Sequence, residues 1–426
     1  MNRANNVLRR VLLYSHDTYG LGHLRRNLAI AEHLLGQHPH LQIVLMTGSS
    51  VADRYDTPPR LQVVQLPPVV KVGDEDYRSR DPRWSTDLVQ RSRCAIMKDT
   101  ARRFRPDVFL VDHAPQGMKK ELLPVFDELR ASSPRTRIVL GLRDVIDAPP
   151  VVRANWSRTD TYQTLEAVYD RILVYGSAEL FDVVSLYGLP DVVASKLTYC
   201  GYVSRRVDVR REREDVQDFV LGVAGGGGDG AQVLSTTLRA SEELGRRCVV
   251  MTGPLMSRSD HDDLARQVAR HPDARLVDFV ADPSDMMRRA RVVVTMGGYN
   301  SLCELVALGT PTVVIPRVEP RREQAIRAKI FAQLGVVALE MPGEDLTPRL
   351  RETLERVLGS PDAGSPDAGP SVARAAQGQS TPGGSAPALD LHGLTRVDAA
   401  LVAEARLSRP RGSDAWSSRG ALEATR

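Results

Sequence analysis

The chain has 426 residues, of which 42% are hydrophobic and 26% charged, enough to bury ordinary cores in more than one domain. Its net charge is only +4 and its arginines are scattered, which excludes a nucleic-acid-binding face as the organising feature. The four cysteines, Cys94, Cys200, Cys248 and Cys303, stand far apart with no C-x-x-C pair, so neither a zinc site nor a disulfide framework is indicated. Basic residues precede VLLY, but His16 and Asp17 end that apolar run too early for a signal peptide. No run approaches the ~20 apolar residues of a membrane helix. A soluble cytoplasmic protein is expected, with peripheral membrane contact left open.

In chain order, short apolar runs alternate with helical spacing. The first set is VLLYS (11–15), QIVLMTG (42–48), VFLVD (108–112), RIVLGL (137–142) and RILVYG (171–176). Continuous apolar strands separated by helices predict an α/β architecture with a parallel sheet covered on both faces. After CGYVSRR the pattern restarts with FVLGVAGGGG (219–228), RCVVMTG (247–253), ARLVDFV (274–280), RVVVTMGG (291–298) and TPTVVIP (310–316). Two consecutive Rossmann-like halves are the simplest organisation, an N-terminal domain over 1–203 and a C-terminal domain over 204–358. The charged joint RRVDVRRERED reads as a solvated linker, with phosphate binding by its arginines as the alternative. Gly, Ser, Pro and Ala dominate 359–388, a composition that cannot bury enough apolar surface to order itself, so a flexible loop is expected there. Helical spacing returns in LDLHGLTRVDAALVAEARL (389–407), read as a terminal helix, and 408–426 is expected to be disordered.

Three turns carry chemistry. The first follows the run 11–15: Gly20, Gly22 and then His23 stand at the mouth of a helix with Leu24, Leu28, Ala31 and Leu35 on one face. The second, VAGGGGDGAQVL, also joins a strand to a helix, so its backbone N–H groups can face a phosphate. Gly225, Gly227 and Gly230 satisfy G-x-G-x-x-G, but the next strand ends in Thr252 and Gly253, without the acid a nicotinamide site requires. No G-K-[ST] follows, so it is not a P-loop; a tight turn without ligand is the alternative. The third, TMGGYNSLCELVALGTPTVVIP, opens a helix near Asn300 with Glu304 one turn inside. Spacing alone leaves two roles for Glu304: closing a capping box with Ser301, or accepting hydrogen bonds from a ribose diol. Downstream, Arg322, Glu323 and Gln324 lie at the start of an amphipathic helix, where they meet either sugar hydroxyls or solvent.

Together these turns resemble a GT-B glycosyltransferase of the family-28, MurG-like type, over roughly residues 9 to 358. The Gly22-His23 turn resembles the family's N-terminal glycine loop. GGGGDG resembles the loop facing the donor diphosphate, and GGYNSLCELVALGTPTVVIP followed by REQ resembles the donor-binding signature. The resemblance implies two Rossmann-like domains whose parallel sheets face a central cleft. It implies that Glu304, with Asn300 and Ser301 on the same helix, binds the ribose of a nucleotide-sugar, and that Glu323 and Gln324 bind the donor sugar. The backbone at Phe279 and Val280 then meets the nucleobase, and Gly22, Gly226, Gly227, Gly228 and Gly298 approach the donor. The close family pattern often has a serine in the glycine loop and glutamine where Glu323 stands, which leaves the donor sugar open. No cofactor and no metal are expected. Asp74-Glu75-Asp76 fits D-x-D but lies in a charged stretch outside any glycine loop.

A helix N-terminus disfavours imidazolium, so a neutral His23 suits a general base. Asp112 ends the run VFLVD, where strand ends line ligand crevices, and it is a candidate partner for the other imidazole nitrogen, with His113 as a rival. A helix-cap or acceptor-binding role is the alternative for His23. Retaining relatives commonly carry a glutamate eight residues before the Glu304 position; here that residue is Met296, which favours inversion. The expected activity is metal-independent, inverting transfer from a nucleotide-sugar, most simply a UDP-sugar, to the hydroxyl of a small molecule, lipid or glycan. The alternatives are a nucleotide-sugar epimerase on the same fold and a non-catalytic nucleotide-sugar-binding protein.

Overall fold

The computed structural model describes residues 8–17, 21–71, 77–205, 215–226, 228–359 and 389–407. The linker segment 206–214, the triplet Asp74-Glu75-Asp76, Gly227, the low-complexity stretch 360–388 and the tail 408–426 lie outside the described residues.

The chain divides into two compact units. One contains the described residues up to Asp144, Pro149–Val203 and those from His392 onward; the other contains Val145–Ala148 and those from Ser204 to Leu391. In the first unit the strands are β1 (Arg10–Ser15), β2 (Gln42–Thr47), β3 (Leu61–Gln65), β4 (Val69–Lys71), β5 (Tyr77–Ser79), β6 (Val108–Asp112), β7 (Arg137–Arg143), β8 (Arg171–Tyr175) and β9 (Leu197–Tyr199). Seven of them form one sheet in the order β3-β2-β1-β6-β7-β8-β9, while β4 and β5 pair as a separate antiparallel ribbon. Every pairing in the large sheet is parallel. The apolar runs explain this: β6 is buried at every position, as a strand covered on both faces requires.

The second unit repeats the plan with β10 (Gln217–Val223), β11 (Cys248–Met251), β12 (Ala274–Val277), β13 (Ala290–Thr295), β14 (Thr312–Val314) and β15 (Ala338–Leu339). Its order is β12-β11-β10-β13-β14-β15, again wholly parallel. Val220, Val292, Val294 and Val313 face a core that includes Leu350, Leu354 and Val357 of the helix Leu346–Gly359. Leu221, Val223 and Val293 pack on the opposite side with Met287 and Leu305.

Both sheets reverse strand order once. In the first, β1 has β2 on one side and β6 on the other; in the second, β10 has β11 and β13. Ligands of such folds bind outside the carboxyl ends of the strands at that reversal, because the connections leave in opposite directions and open a crevice. The Gly22-His23 turn follows β1 and Asp112 ends β6, while the tetraglycine stretch follows β10 and Gly297-Gly298 follows β13. Each unit therefore places two of its sequence-selected motifs at its own reversal.

The terminal helix is Gly393–Arg406, and it belongs to the first unit. It buries Leu394, Val397 and Leu401. Glu404 accepts hydrogen bonds from Arg137 Nε and Arg171 Nε, each at 2.9 Å, and Asp398 Oδ1 lies 2.6 Å from His38 Nε2. The apolar stretch LAIAEHLL is core, since Leu28, Ile30, Leu34 and Leu35 are all buried. Among the described residues no helix is long and apolar enough to cross a membrane.

Candidate active site

In the first unit the helix Gly22–Gln37 starts behind β1 without a side-chain cap from its N-cap residue, Leu21. Asp17 substitutes: its Oδ1 accepts the Leu24 N–H at 3.1 Å and its Oδ2 accepts the Thr47 hydroxyl at 2.5 Å. One buried carboxylate thus ties the helix start to the end of β2 and fixes the direction in which His23 leaves the turn. Burial raises the Asp17 pKa, with His23 and the hydrogen bond from Thr47 acting in the other direction.

His23 is the second residue of that helix, behind an exposed Gly22. Its Nδ1 lies 2.6 Å from Asp112 Oδ2. The carboxylate can only accept, so Nδ1 carries the hydrogen and donates it, which leaves the lone pair on Nε2. The side chain retains 13% exposure, so the ring is held but reachable. Its pKa is lowered: burial is the largest cause, Asp112 opposes it, and Arg26 and Arg143 reinforce it. The neutral ring expected from the helix N-terminus therefore has desolvation as its leading cause. Asp112 is buried, which pushes its pKa up, yet the charge of Arg26 and the hydrogen bonds from His23 and Arg26 outweigh burial and hold it at about 2. The arrangement is a neutral imidazole backed by an ionised carboxylate, the chemistry of a general base.

His113, the rival partner, is positioned otherwise. Its Nε2 lies 3.1 Å from Arg143 Nη2, and its ring stands 5.2 Å from that of His23. Its φ of +68° turns the chain sharply at the end of β6, a conformation a histidine adopts at some cost. Beneath the turn, Tyr14 Oη donates to Glu121 Oε1 at 2.7 Å, and Arg93 donates to both Glu121 oxygens at 2.7 Å.

In the second unit, two of the glycines have structural reasons of their own. A Cβ on Gly230 would lie 2.2 Å from the Ala224 Cβ, and Gly297 combines a φ of +77° with a Cβ position 2.7 Å from Val314 Cγ1. Gly298 is different: its φ is −57°, which any residue adopts, and a Cβ there would meet nothing within 4 Å. Neither backbone conformation nor packing within the described residues requires glycine at that position. Gly298 is also the N-cap of the helix Tyr299–Ala307 and makes no side-chain cap bond. Asn300 is therefore the second helical residue and Ser301 the third, so the capping box envisaged for Ser301 and Glu304 does not form. Glu304 lies in the second turn with 3% exposure. Gly226 and Gly228 stand in the turn after β10, and Phe279 and Val280 follow β12, two strands from β10 in the sheet.

Glu323 and Gln324 open the helix Glu323–Gln333. Arg317, beyond the end of β14, joins them to the glycine loop. Its Nη2 donates to Glu323 Oε1 at 2.9 Å, its Nη1 donates to Asp229 Oδ2 at 2.9 Å, and its backbone N–H donates to Gln324 Oε1 at 3.0 Å. Arg26, Asp17, Arg143 and Arg317 were not selected from the sequence. Arg26 carried a signal, since it stands three residues after His23 on the same helix face.

Residues 220–371 match the glycosyltransferase family 28 C-terminal domain. The UDP-N-acetylglucosamine--N-acetylmuramyl-(pentapeptide) pyrophosphoryl-undecaprenol N-acetylglucosamine transferase of Rubrobacter xylanophilus is 25% identical over 241 residues, 53% of this chain and 68% of that protein. The protein of the same description from Synechococcus elongatus is 28% identical over 140 residues, which span 32% of this chain and only 38% of the relative. The crystal structure of Acinetobacter baumannii MurG superimposes with a TM-score of 0.53 at 14% identity, covering 92% of this chain and 99% of that one. Fold and signature define the class as GT-B glycosyltransferases. Within it residues 220–371 carry the family-28 C-terminal domain, and the relatives the chain resembles are of the MurG type.

Proposed function

We propose that the chain is an inverting glycosyltransferase that moves a sugar from a nucleotide-sugar, preferentially a UDP-sugar, to an acceptor hydroxyl without a metal ion. The observation that carries this reading is the neutral His23 held by Asp112 at 2.6 Å, at the strand reversal of its sheet. As the acceptor oxygen attacks the anomeric carbon, its proton passes to His23 Nε2. The bond to the diphosphate breaks, and its electron pair leaves on the phosphate oxygen. Asp112 stabilises the imidazolium that forms.

On the donor side, Glu304 accepts the ribose hydroxyls, with Asn300 and Ser301 beside it. Glu323 and Gln324 meet the sugar hydroxyls, and the backbone at Phe279 and Val280 meets the base. Backbone N–H groups of Gly226, Gly228 and Gly298 and the positive end of the helix Tyr299–Ala307 receive the developing negative charge, in the role a metal plays elsewhere. The open space over Gly298 supports that approach. A UDP donor is supported by the Rubrobacter relative, which is named for its use of UDP-N-acetylglucosamine. The four free thiols suit the cytoplasm, where nucleotide-sugars are available to an acceptor that is a small molecule, lipid or glycan.

The test is a thermal-shift panel of UDP-, GDP- and dTDP-sugars followed by assays with hydroxyl acceptors. A UDP-sugar at about 100 times its Kd is expected to add about 2.7 kcal/mol of stability. Stronger stabilisation by a GDP- or dTDP-sugar would overturn the UDP assignment. Donor conversion without any acceptor would turn the reading to an epimerase, and binding without turnover to a non-catalytic protein.

Arg317 provides a narrower prediction. It holds Asp229 of the glycine loop and Glu323 together, so Arg317→Ala releases both. Donor affinity is expected to fall roughly tenfold, the value of one net charge-assisted hydrogen bond. Asp229→Asn should weaken binding in the same direction, and the double variant should be little worse than Arg317→Ala alone. Additive losses, read by calorimetric titration, would show that the clasp does not act as a unit.

A further inference from the structure

We infer that Arg26 is a positioning residue for the His23–Asp112 pair: it fixes the carboxylate so that one oxygen alone serves the imidazole, and it keeps that imidazole neutral. The inference rests on the reading of His23 as a base, and it adds a third residue to the pair.

The geometry divides Asp112 between two partners. Arg26 Nε and Nη2 both donate to Asp112 Oδ1, at 3.0 and 2.6 Å, while Oδ2 receives His23 Nδ1 at 2.6 Å. With Oδ1 held by two N–H groups of one planar guanidinium, the carboxylate cannot rotate without breaking both bonds. A partial rotation would carry the accepting oxygen out of line with His23 Nδ1, and the two bonds from Arg26 oppose it.

The guanidinium is itself fixed. Arg26 is 2% exposed, and its Cζ lies 5.5 Å from the centroid of the Tyr175 ring. Tyr175 ends β8 paired with Arg143 of β7, and its ring lies back over Gly141 two residues earlier on that strand, where a Cβ would lie 1.9 Å from the Tyr175 hydroxyl. A run of contacts therefore leads from Gly141 through Tyr175 and Arg26 to Asp112 and His23, across β7, β8, the helix Gly22–Gln37 and β6.

The second consequence is electrostatic. A carboxylate at 2.6 Å taken alone favours imidazolium, and a histidine already protonated cannot act as a base. Arg26 Nη2 stands 3.1 Å from His23 Nδ1, close enough to oppose that protonation. The other groups facing His23 are Arg143 on β7, Asp17 before the helix, His16 in the same loop with its ring 6.0 Å away, and His113 after β6 with its ring 5.2 Å away. Arg26 contacts both members of the pair.

The experiment follows the ring resonances of His23 by NMR through a pH titration of the full chain, in the wild type, Arg26→Gln and Arg26→Lys. No substrate is needed, so the result does not depend on transfer. In Arg26→Gln the midpoint of His23 is expected to rise by about one pH unit, a tenfold gain in proton affinity. In Arg26→Lys the cation remains but the fork is lost. The midpoint should rise less, while the Nδ1 proton signal that reports the bond to Asp112 broadens or disappears. Should Arg26→Gln fail to fold, the lysine variant decides by that signal. An unchanged midpoint together with an unchanged Nδ1 proton would overturn the inference, even if activity fell, because a purely structural arginine would lower the folded fraction without touching the titration. Where an acceptor is in hand, the acid limb of kcat/KM should move up with the NMR midpoint. A limb that stays fixed while the midpoint moves would remove the base assignment of His23 and leave the control by Arg26 standing.

Discussion

Sugar transfer by the His23→Ala variant is expected to fall by ~10²–10⁴-fold, the usual contribution of a positioned general base, while donor affinity stays near the wild-type value. The separation follows from where the residues lie. His23 stands on the helix Gly22–Gln37 beside Asp112, whereas the donor signature is carried by other elements, the helices Tyr299–Ala307 and Glu323–Gln333. Asp112→Asn should give a comparable loss, because an amide in place of Oδ2 can leave Nδ1 without its acceptor and favour the tautomer with the proton on Nε2. Initial rates and donor titrations on the same preparations measure both quantities, and transfer retained in His23→Ala would remove the base assignment.

The same residue sets a pH dependence whose sign is fixed by the lowered pKa. The unfolded chain takes up a proton near the ordinary histidine value of about 6.5, and the folded chain takes it up only at lower pH. Stability is therefore undiminished above about pH 6.5 and declines as pH falls from there toward the folded value, since the unfolded state binds more protons in that window. Asp112 adds a second decline between the ordinary carboxylate range and about 2, as its stabilising charge is lost. In His23→Ala the first decline should be missing and the second reduced.

Much of the fold was legible because buried parallel strands are written as unbroken apolar runs. VFLVD occupies β6 from end to end, and the second set of runs anticipates β10 to β14. The strands that escaped notice lack that signature. LQVVQ of β3 is an edge strand, buried only at Leu61, and β15 is two residues long. The periodicity of 389–407 predicts a helix but not its seat, because the ion pairs from Glu404 to Arg137 and Arg171 join residues more than 230 positions apart. The site divides the same way. Glycine turns after strands announce His23, Gly226 and Gly298, but an arginine on a helix reads as solvated. Arg26 is buried only because Tyr175 and Asp112 arrive from β8 and β6. For Ser301 and Glu304, the S-x-x-E spacing was a coincidence of register: the turn at Gly297 starts the helix two residues before Ser301.

That register sharpens the second large expectation, that Glu304→Ala loses donor binding. A carboxylate accepting two ribose hydroxyls contributes charge-assisted hydrogen bonds, and removing it should cost about 2–4 kcal/mol, roughly 30- to 1000-fold in Kd. Glu304→Gln keeps the shape and one acceptor but loses the charge, so its affinity should fall between wild type and alanine. The helix cap does not enter, because Gly298 caps the helix Tyr299–Ala307 without a side-chain bond and Glu304 lies in the second turn. Weaker binding therefore cannot be ascribed to a frayed helix, provided circular dichroism of the ligand-free variants matches the wild type. A graded order of wild type, Glu304→Gln and Glu304→Ala in a donor titration would assign the ribose contact. Equal affinity in all three would remove it. The donor would then be held by the two glycine turns and the Arg317 clasp, and Arg317→Ala would become the more damaging substitution.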